Sequence, residues 1–231
     1  MESAADLAPT GVLRASINLG NPVLAQGTAD APAGVTVDLA REIAARLGVG
    51  VQFLCFDAAR KSFESLKNGS ADIGFLAIEP AREAEVSFTG PYVIIEGVYA
   101  VPDNSPIKTA DDVDHEDVRI GVKEGSAYDL FLTRTLKNAE VVRGSDGTDV
   151  FREQNLDVAA GVRQPLTRYV NEHPGLRLIE PRFMEIRQAV AIPKGRDIAF
   201  LRDLVEILKT NGFVADALAR SGQDATVAEP A

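Results

Sequence analysis

Strand-like and helix-like hydrophobic spacings follow one another along this chain almost from its start. Val12 to Ile17 alternates apolar and polar side chains with the period of a half-buried strand. Asn18 to Pro22 has loop composition. Leu39, Ile43 and Leu47 recur at helical spacing with Ala40 and Ala44 beside them, which predicts an amphipathic helix over Asp38 to Leu47, stopped by Gly48. Val51 to Phe56 reads as a second strand, Lys61 to Lys67 as a helix, and Ala71 to Ile78 as a buried strand. Pro80 opens a short helical turn. Phe88-Thr-Gly-Pro-Tyr92 is expected to break that turn and lead into a strand over Gly97 to Val101.

A second series follows. Ile107 to Val113 reads as a short helix, Val118 to Val122 as a strand, and Gly125-Ser126 as the opening of a helix over Ala127 to Leu136. Further strands are expected at Glu140 to Arg143, Leu156 to Val162 and Gln188 to Ile192, with helices at Thr148 to Glu153 and Pro165 to Asn171. A long helix is predicted over Ile198 to Arg220, and the small, polar tail from Ser221 is expected to fray. Strand–helix–strand alternation of this kind implies mostly parallel sheets with helical crossovers. Two similar series of elements suggest two lobes.

Composition narrows the function. The chain has 231 residues, 45% hydrophobic and 25% charged, which is ordinary globular composition. A net charge of -10 argues against a nucleic-acid partner, because phosphate binding needs clustered Lys and Arg. No apolar stretch approaches the ~20 residues of a membrane-spanning helix. Met1 to Pro9 has neither the basic segment nor the apolar core of a signal peptide. Cys55 is the single cysteine, so no internal disulfide is possible; it lies in the apolar run Val51 to Phe56 and is expected in the core. His115, in an acidic loop with Asp112, Asp114 and Asp117, and His173, near a helix end, lack metal-ligand spacing to another His or Cys. There is no nucleophile elbow, P-loop or dinucleotide fingerprint. No metal, cofactor or catalytic residue is expected.

Four segments resemble one family. Gly34-Val-Thr-Val-Asp38-Leu-Ala is similar to the G-F-D-V-D-L-A segment of the solute-binding proteins of polar amino-acid ABC transporters. Ala77-Ile-Glu-Pro-Ala-Arg82 with Phe88-Thr-Gly-Pro-Tyr92 resembles their T-I-T-P-E-R and F-S-D-P-Y segments. Ile120-Gly-Val-Lys-Glu-Gly-Ser126 resembles V-G-V-Q-x-G-T, and Leu156-Asp157-Val-Ala resembles x-D-A-V. Order and spacing hold from about Gly11 to Gly222.

The resemblance implies an α/β, two-lobed type II periplasmic binding fold, with mostly parallel sheets, flanking helices and a two-strand hinge. Lobe one would be residues 1–94 plus 186–231 and lobe two residues 95–185, with hinge strands near Tyr92 to Gly97 and Met184 to Gln188. The lobes would close on a small solute, delivered to a membrane permease by a monomeric periplasmic carrier. Without an export signal in this chain, a cytoplasmic setting stays open.

Arg82 matches the family arginine that grips a ligand carboxylate, a task suited to a guanidinium fork; a solvated Arg beside Glu83 and Glu85 is the alternative. Gly125, Ser126 and Ala127 would meet the same carboxylate from lobe two through free N–H groups, or Ser126 is simply a helix cap. Ala77 stands where the family has a hydroxyl. Asn21 and Ala59 (or Ala58) stand where aromatics are usual. Asn18 and Asn21 face the cleft or cap their turn, and Phe75 lines the pocket or packs in the core. Arg60 and Lys61 near the cleft mouth are expected on a solvated face. Gly161 and Arg163 lie at the end of the strand after Asp157. Val162 falls where an acidic residue normally pairs with an α-ammonium.

A carboxylate grip without that acid implies a ligand other than a standard α-amino acid. A carboxylic acid or a modified amino acid would fit, or a dicarboxylate if Arg163 gives a second contact. Two further readings stay open. One is a dehydratase acting on a cyclic carboxylate, with Glu79 or Glu185 as general acid. The other is a ligand-sensing module.

Overall fold

The protein is described here by a computed structural model, which covers residues 2–231. The reading of Met1 to Pro9 as free of an export signal falls in part on Met1, which lies outside the described residues. The chain divides into two compact units: residues up to Ile94 with Arg187–Ala231, and Ile95–Ile186.

The first unit contains α1 (Glu2–Leu7), β1 (Val12–Asn18), the short pair β2 (Gln26–Gly27) and β3 (Pro32–Ala33), α2 (Val35–Leu47), β4 (Gly50–Phe56), α3 (Ala59–Lys67), β5 (Ile73–Ala77) and α4 (Pro80–Glu83). It also holds the first part of β6 (Val86–Pro102). In its sheet β1 lies between β4 and β5, parallel to both. Helix α2 forms because its apolar positions fall on one stripe; Val35, Val37, Leu39, Ala40, Ile43 and Ala44 are all buried. Burying Leu39 and Ile43 stabilises by about 1.5–3 kcal/mol each. The helix ends at Gly48 in the left-handed region (φ 71), where its amide returns to the last turn. A buried hydroxyl cluster ties α3 to β1: Ser65 donates to Ser16, and Ser16 and Ser62 share a bond of 2.7 Å.

The second unit takes the remainder of β6 and then β7 (Arg119–Lys123), α5 (Ala127–Thr135), β8 (Glu140–Gly144), α6 (Gly147–Glu153), β9 (Val158–Val162), α7 (Arg163–Glu172) and most of β10 (Leu176–Pro193). Here β7 is parallel to both β8 and β9, and β6 runs antiparallel to β9. Its core gathers Val98, Ala100, Val150, Phe151, Leu156, Ala159 and Leu166. Gly121 is required by close packing: a Cβ there would stand 2.7 Å from the Gly147 carbonyl oxygen. Asp157 accepts from the Arg119 amide at 2.8 Å and so holds the strand start. The predicted helix over Ile107 to Val113 is a single 3-10 turn, Ala110–Val113, closed by a capping box between Thr109 and Asp112. The Asp114 carboxylate accepts from the amides of Lys137, Asn138 and Ala139, so it braces a loop.

The chain re-enters the first unit through the end of β10, which pairs antiparallel with β5, and continues as α8 (Ala199–Thr210), α9 (Phe213–Arg220) and β11 (Thr226–Val227). Three expectations need correction here. The long helix is broken at Asn211-Gly212: Gly212 has φ 88, and the Asn211 side chain accepts the Phe213 amide to start α9. The tail does not fray, because Thr226–Val227 pairs with Ile94 and Val93 of β6, the Ala228 amide donates to Tyr92 O, and Ala228 is buried. Phe88 to Tyr92, expected to lead into a strand over Gly97 to Val101, already lies within β6, which begins at Val86. Thr89 supplies a side-chain acceptor to the Val190 amide at 3.1 Å, so Thr-Gly-Pro is absorbed within the strand.

The first unit is also clasped by Asp72, whose side chain has no exposure. It accepts from the Arg14 amide, from Arg14 Nε and Nη2, and from Arg196 Nη1. Burial pushes this carboxyl up, but the bonds from Arg14 and Arg196 outweigh it and hold it below its ordinary range. A carboxylate lowered by folding stabilises above its unfolded pKa, about 3.9, and that contribution disappears as pH falls. Asp72→Asn should therefore cost about 2–3 kcal/mol at neutral pH, below the ~3–5 of a fully buried pair because both arginines keep some solvent. Urea denaturation measures this, and the gap to the parent should close below about pH 4.

Candidate functional site

In α/β sheets, ligand-binding groups collect at the carboxyl ends of parallel strands. In the first unit those ends are Asn18 of β1, Phe56 of β4 and Ala77 of β5. The chain leaves β5 through Ile78 and Glu79, and Pro80 starts α4, so Arg82 follows one turn later. Its side chain folds back onto the strand end: Arg82 Nη1 donates to the Ala77 carbonyl at 3.1 Å. Arg82 is only 2% exposed and Glu79 only 5%. Burial lowers the guanidinium to about 10, while the charge of Glu79 acts in the opposite direction. A cation is thus kept largely out of water at the strand end, and Gln188, also buried, pairs with Ala77 across the sheet.

The other first-unit candidates are placed differently. Phe75 is buried in the core, edge-on to Tyr92 with ring centroids 6.1 Å apart. Ala59 opens α3 and packs against a cluster of Leu66, Ala71 and Leu76. The Asn18 side chain accepts the Gly20 amide and that of Asn21 the Val23 amide, so both oxygens shape their own loop. Cys55 is not a core residue as expected; it is half-buried on the wall of a hollow of about 360 Å³ with Leu19, Ala29, Phe56, Asp57 and Lys61. Burial pushes its thiol up. Lys61 is paired with Asp57.

In the second unit the loop after β7 is tightly self-bonded. Ser126 is the N-cap of α5, its hydroxyl accepting the Asp129 amide at 3.0 Å. The buried Asp129 carboxylate accepts from the Gly125 amide, the Thr133 hydroxyl and Arg143 Nε. The Ser126 amide donates to Lys123 O. Two of the amides expected to face an anion are therefore bonded within the loop, and Ala127, with its buried side chain, follows as the first residue of the helix. The sequence signal for Asp129 was present in Ser126-x-x-Asp129, a capping pattern.

Arg163 needs a correction too. It is not a spare cation for a second carboxylate, because Nε bonds Glu96 while Nη1 and Nη2 bond the two oxygens of Glu180. Arg182 joins the set through Glu96 and Glu185. Gly161 is paired with Val98, and the direction of a side chain there leads to Leu166, within the packing of α7. His173 stacks on Tyr169 and bonds its carbonyl. Among the described residues no group of three His, Cys, Asp or Glu is placed to hold a metal, and no helix is long and apolar enough to cross a membrane.

Comparison with known proteins places this arrangement. Residues 17–224 match the bacterial extracellular solute-binding proteins, family 3, and the chain belongs to that family. A probable histidine-binding protein of Neisseria gonorrhoeae is 25% identical over 162 residues, 65% of this chain and 60% of that protein. The virulence sensor protein BvgS of Bordetella bronchiseptica is 27% identical over 164 residues, 69% of this chain but only 13% of its own length. The chain thus spans less than two thirds of these curated relatives.

Three solved structures share the fold, that of the type II periplasmic binding proteins. A mutant of ArgBP from T. maritima aligns with TM-score 0.77 and 22% identity over 95% of this chain and 99% of that one. A solute receptor for L-cysteine of Neisseria gonorrhoeae aligns with TM-score 0.79 and 20% identity over 95% and 93%. The ancestral amino acid-binding protein AncCDT-1, a precursor of cyclohexadienyl dehydratase, aligns with TM-score 0.76 and 21% identity over 94% and 97%.

The Tyr92 hydroxyl is wholly buried and has no hydrogen-bond partner among the described residues. An unmet buried hydroxyl costs about 1–3 kcal/mol. Tyr92→Phe should leave the unfolding free energy unchanged or raise it by about 1 kcal/mol. A drop of more than that in chemical denaturation would mean that the hydroxyl is bonded in solution.

Proposed function

We propose that this protein is a non-catalytic carrier that binds a small carboxylate-bearing solute outside the cytoplasm and presents it to a membrane permease. The observation that carries this reading is the buried Arg82 guanidinium at the carboxyl end of β5. Burying a cation is unfavourable for folding, and the resemblance assigns an arginine at this position to a ligand carboxylate.

The family and the solved neighbours support binding rather than chemistry, and the named histidine-, cysteine- and amino acid-binding relatives support a small organic acid as the solute. Of the two acids considered for a dehydratase, Glu185 is exposed and paired with Arg182, which removes it as a buried proton donor.

Arg82→Met should weaken carboxylate binding by about 2–5 kcal/mol, roughly 30- to 5,000-fold. Arg82→Lys should recover only part of it, because an ammonium lacks the fork. Isothermal titration measures both, and a variant that binds as well as the parent refutes the assignment.

A further inference from the structure

We propose that residues 221–231 form a releasable strap that restrains the bending of β6 where the chain leaves the first unit. The resemblance implies a hinge strand over Tyr92 to Gly97, and the boundary between the two units falls inside that stretch, after Ile94. The tail meets β6 on the first-unit side of this boundary. Thr226 pairs with Ile94 and Val227 with Val93, antiparallel, and the Ala228 amide donates to the Tyr92 carbonyl at 3.0 Å. A strand laddered along one edge can bend there only by breaking the ladder. On the second-unit side Glu96 is held by Arg163 and, at 3.1 Å, by Arg182. Both flanks of Ile95 are therefore pinned, and release of the tail frees the first-unit flank alone.

The way the tail is fastened marks it as a part that opens without unfolding the unit. Its buried apolar anchor is Ala228, a small side chain. The rest of the hold is polar. The Lys209 side chain of α8 is only 1% exposed; its Nζ donates to the Glu229 carbonyl at 3.0 Å and pairs with Glu206 at 2.7 Å. Glu206 also accepts the Ala231 amide at 3.0 Å. When the tail lifts, water takes the place of the Glu229 carbonyl and the Ala231 amide, so each of these bonds contributes little net hold. The Lys209–Glu206 pair lies within α8 and persists. Segments with few buried apolar contacts are the ones that open locally at low free energy. Release of the tail is thus the step that loosens β6 at its exit.

The test is amide hydrogen exchange, followed by NMR, in the full chain and in the full-length double variant Thr226→Pro with Ala228→Asp. Proline removes a ladder donor and the aspartate puts a charge at the buried anchor, so the tail should lift. Successive amides of a strand point to opposite edges. Tyr92 and Ile94 face the tail, whereas Val93 and Ile95 point away from it and lose no tail partner. In the double variant, exchange at Val93 and Ile95 should accelerate at least about tenfold more than at Leu39 and Ile43 of α2, which report loss of stability in the unit as a whole. In the parent, Ala228 and Ile94 should share one opening, with protection equal to within about threefold after correction for intrinsic rates. This parent arm stands alone if the double variant does not fold. Three results would each overturn the proposal. One is an Ala228 amide that exchanges in the parent as in an unfolded chain. Another is a tail that stays protected in the double variant. The third is a lifted tail with Val93 and Ile95 accelerated no more than Leu39 and Ile43.

Discussion

A guanidinium held almost out of water at the end of a parallel strand is the constraint from which the rest of the first unit can be understood. Burial alone lowers the proton affinity of Arg82, and the structure answers with a carbonyl from Ala77 and the opposing charge of Glu79. Neither is a gain in stability comparable to an apolar side chain in the same space; ion pairs taken out of water are often no better than hydrophobic replacements. Strongly perturbed ionisable groups gather at functional sites because function tolerates what stability alone would remove. The strand end is suited to this load. Ala77 lies on β5, which is flanked by β1 on one side and β10 on the other, so the carbonyl that Arg82 holds belongs to one of the best-supported strands of the unit.

The second unit shows the complementary design. Its loop after β7 satisfies most of its own polar groups through one buried acid, Asp129, bonded to an amide, a hydroxyl and an arginine. A loop fixed in this way can present the remaining amides at the start of α5 without losing further conformational freedom on binding, which is how preorganisation raises affinity. The lattice of Arg163, Arg182, Glu96, Glu180 and Glu185 likewise matches its charges internally. Both clusters shape the unit, and neither leaves a bare positive charge for an anion.

What could be read from the chain follows the range of the forces involved. The helix over α2, its stop at Gly48 and the Pro80 turn are set by neighbours in sequence, and they were legible. The strands β1, β4, β7 and β8 were legible to within a residue or two, β1 by the period of two in its side chains. The strands β6 and β10 were under-read, since their length depends on partners far along the chain, such as Val190 bonding to Thr89. The order of the tail depends on Val93 and Ile94, more than a hundred residues earlier, and no local pattern announces it. The break at Asn211-Gly212 was announced by a strong turn dipeptide, and the apolar periodicity on either side of it masked the signal. At the site, Arg82 was found through resemblance; its burial, the pairing of Arg163 and the work of Asp129 are tertiary facts. A charged residue looks the same in sequence whether it is solvated, matched or held for a ligand.

The net charge of the chain bears on the choice between solutes as well. At -10, the protein repels anions in solution at distances up to a Debye length, about 8 Å at physiological salt. A dicarboxylate would have to approach against that field and then find Arg163 already enclosed by two glutamates. A zwitterion feels almost no long-range force. Local groups decide affinity once contact is made, and the overall field decides which solutes arrive easily.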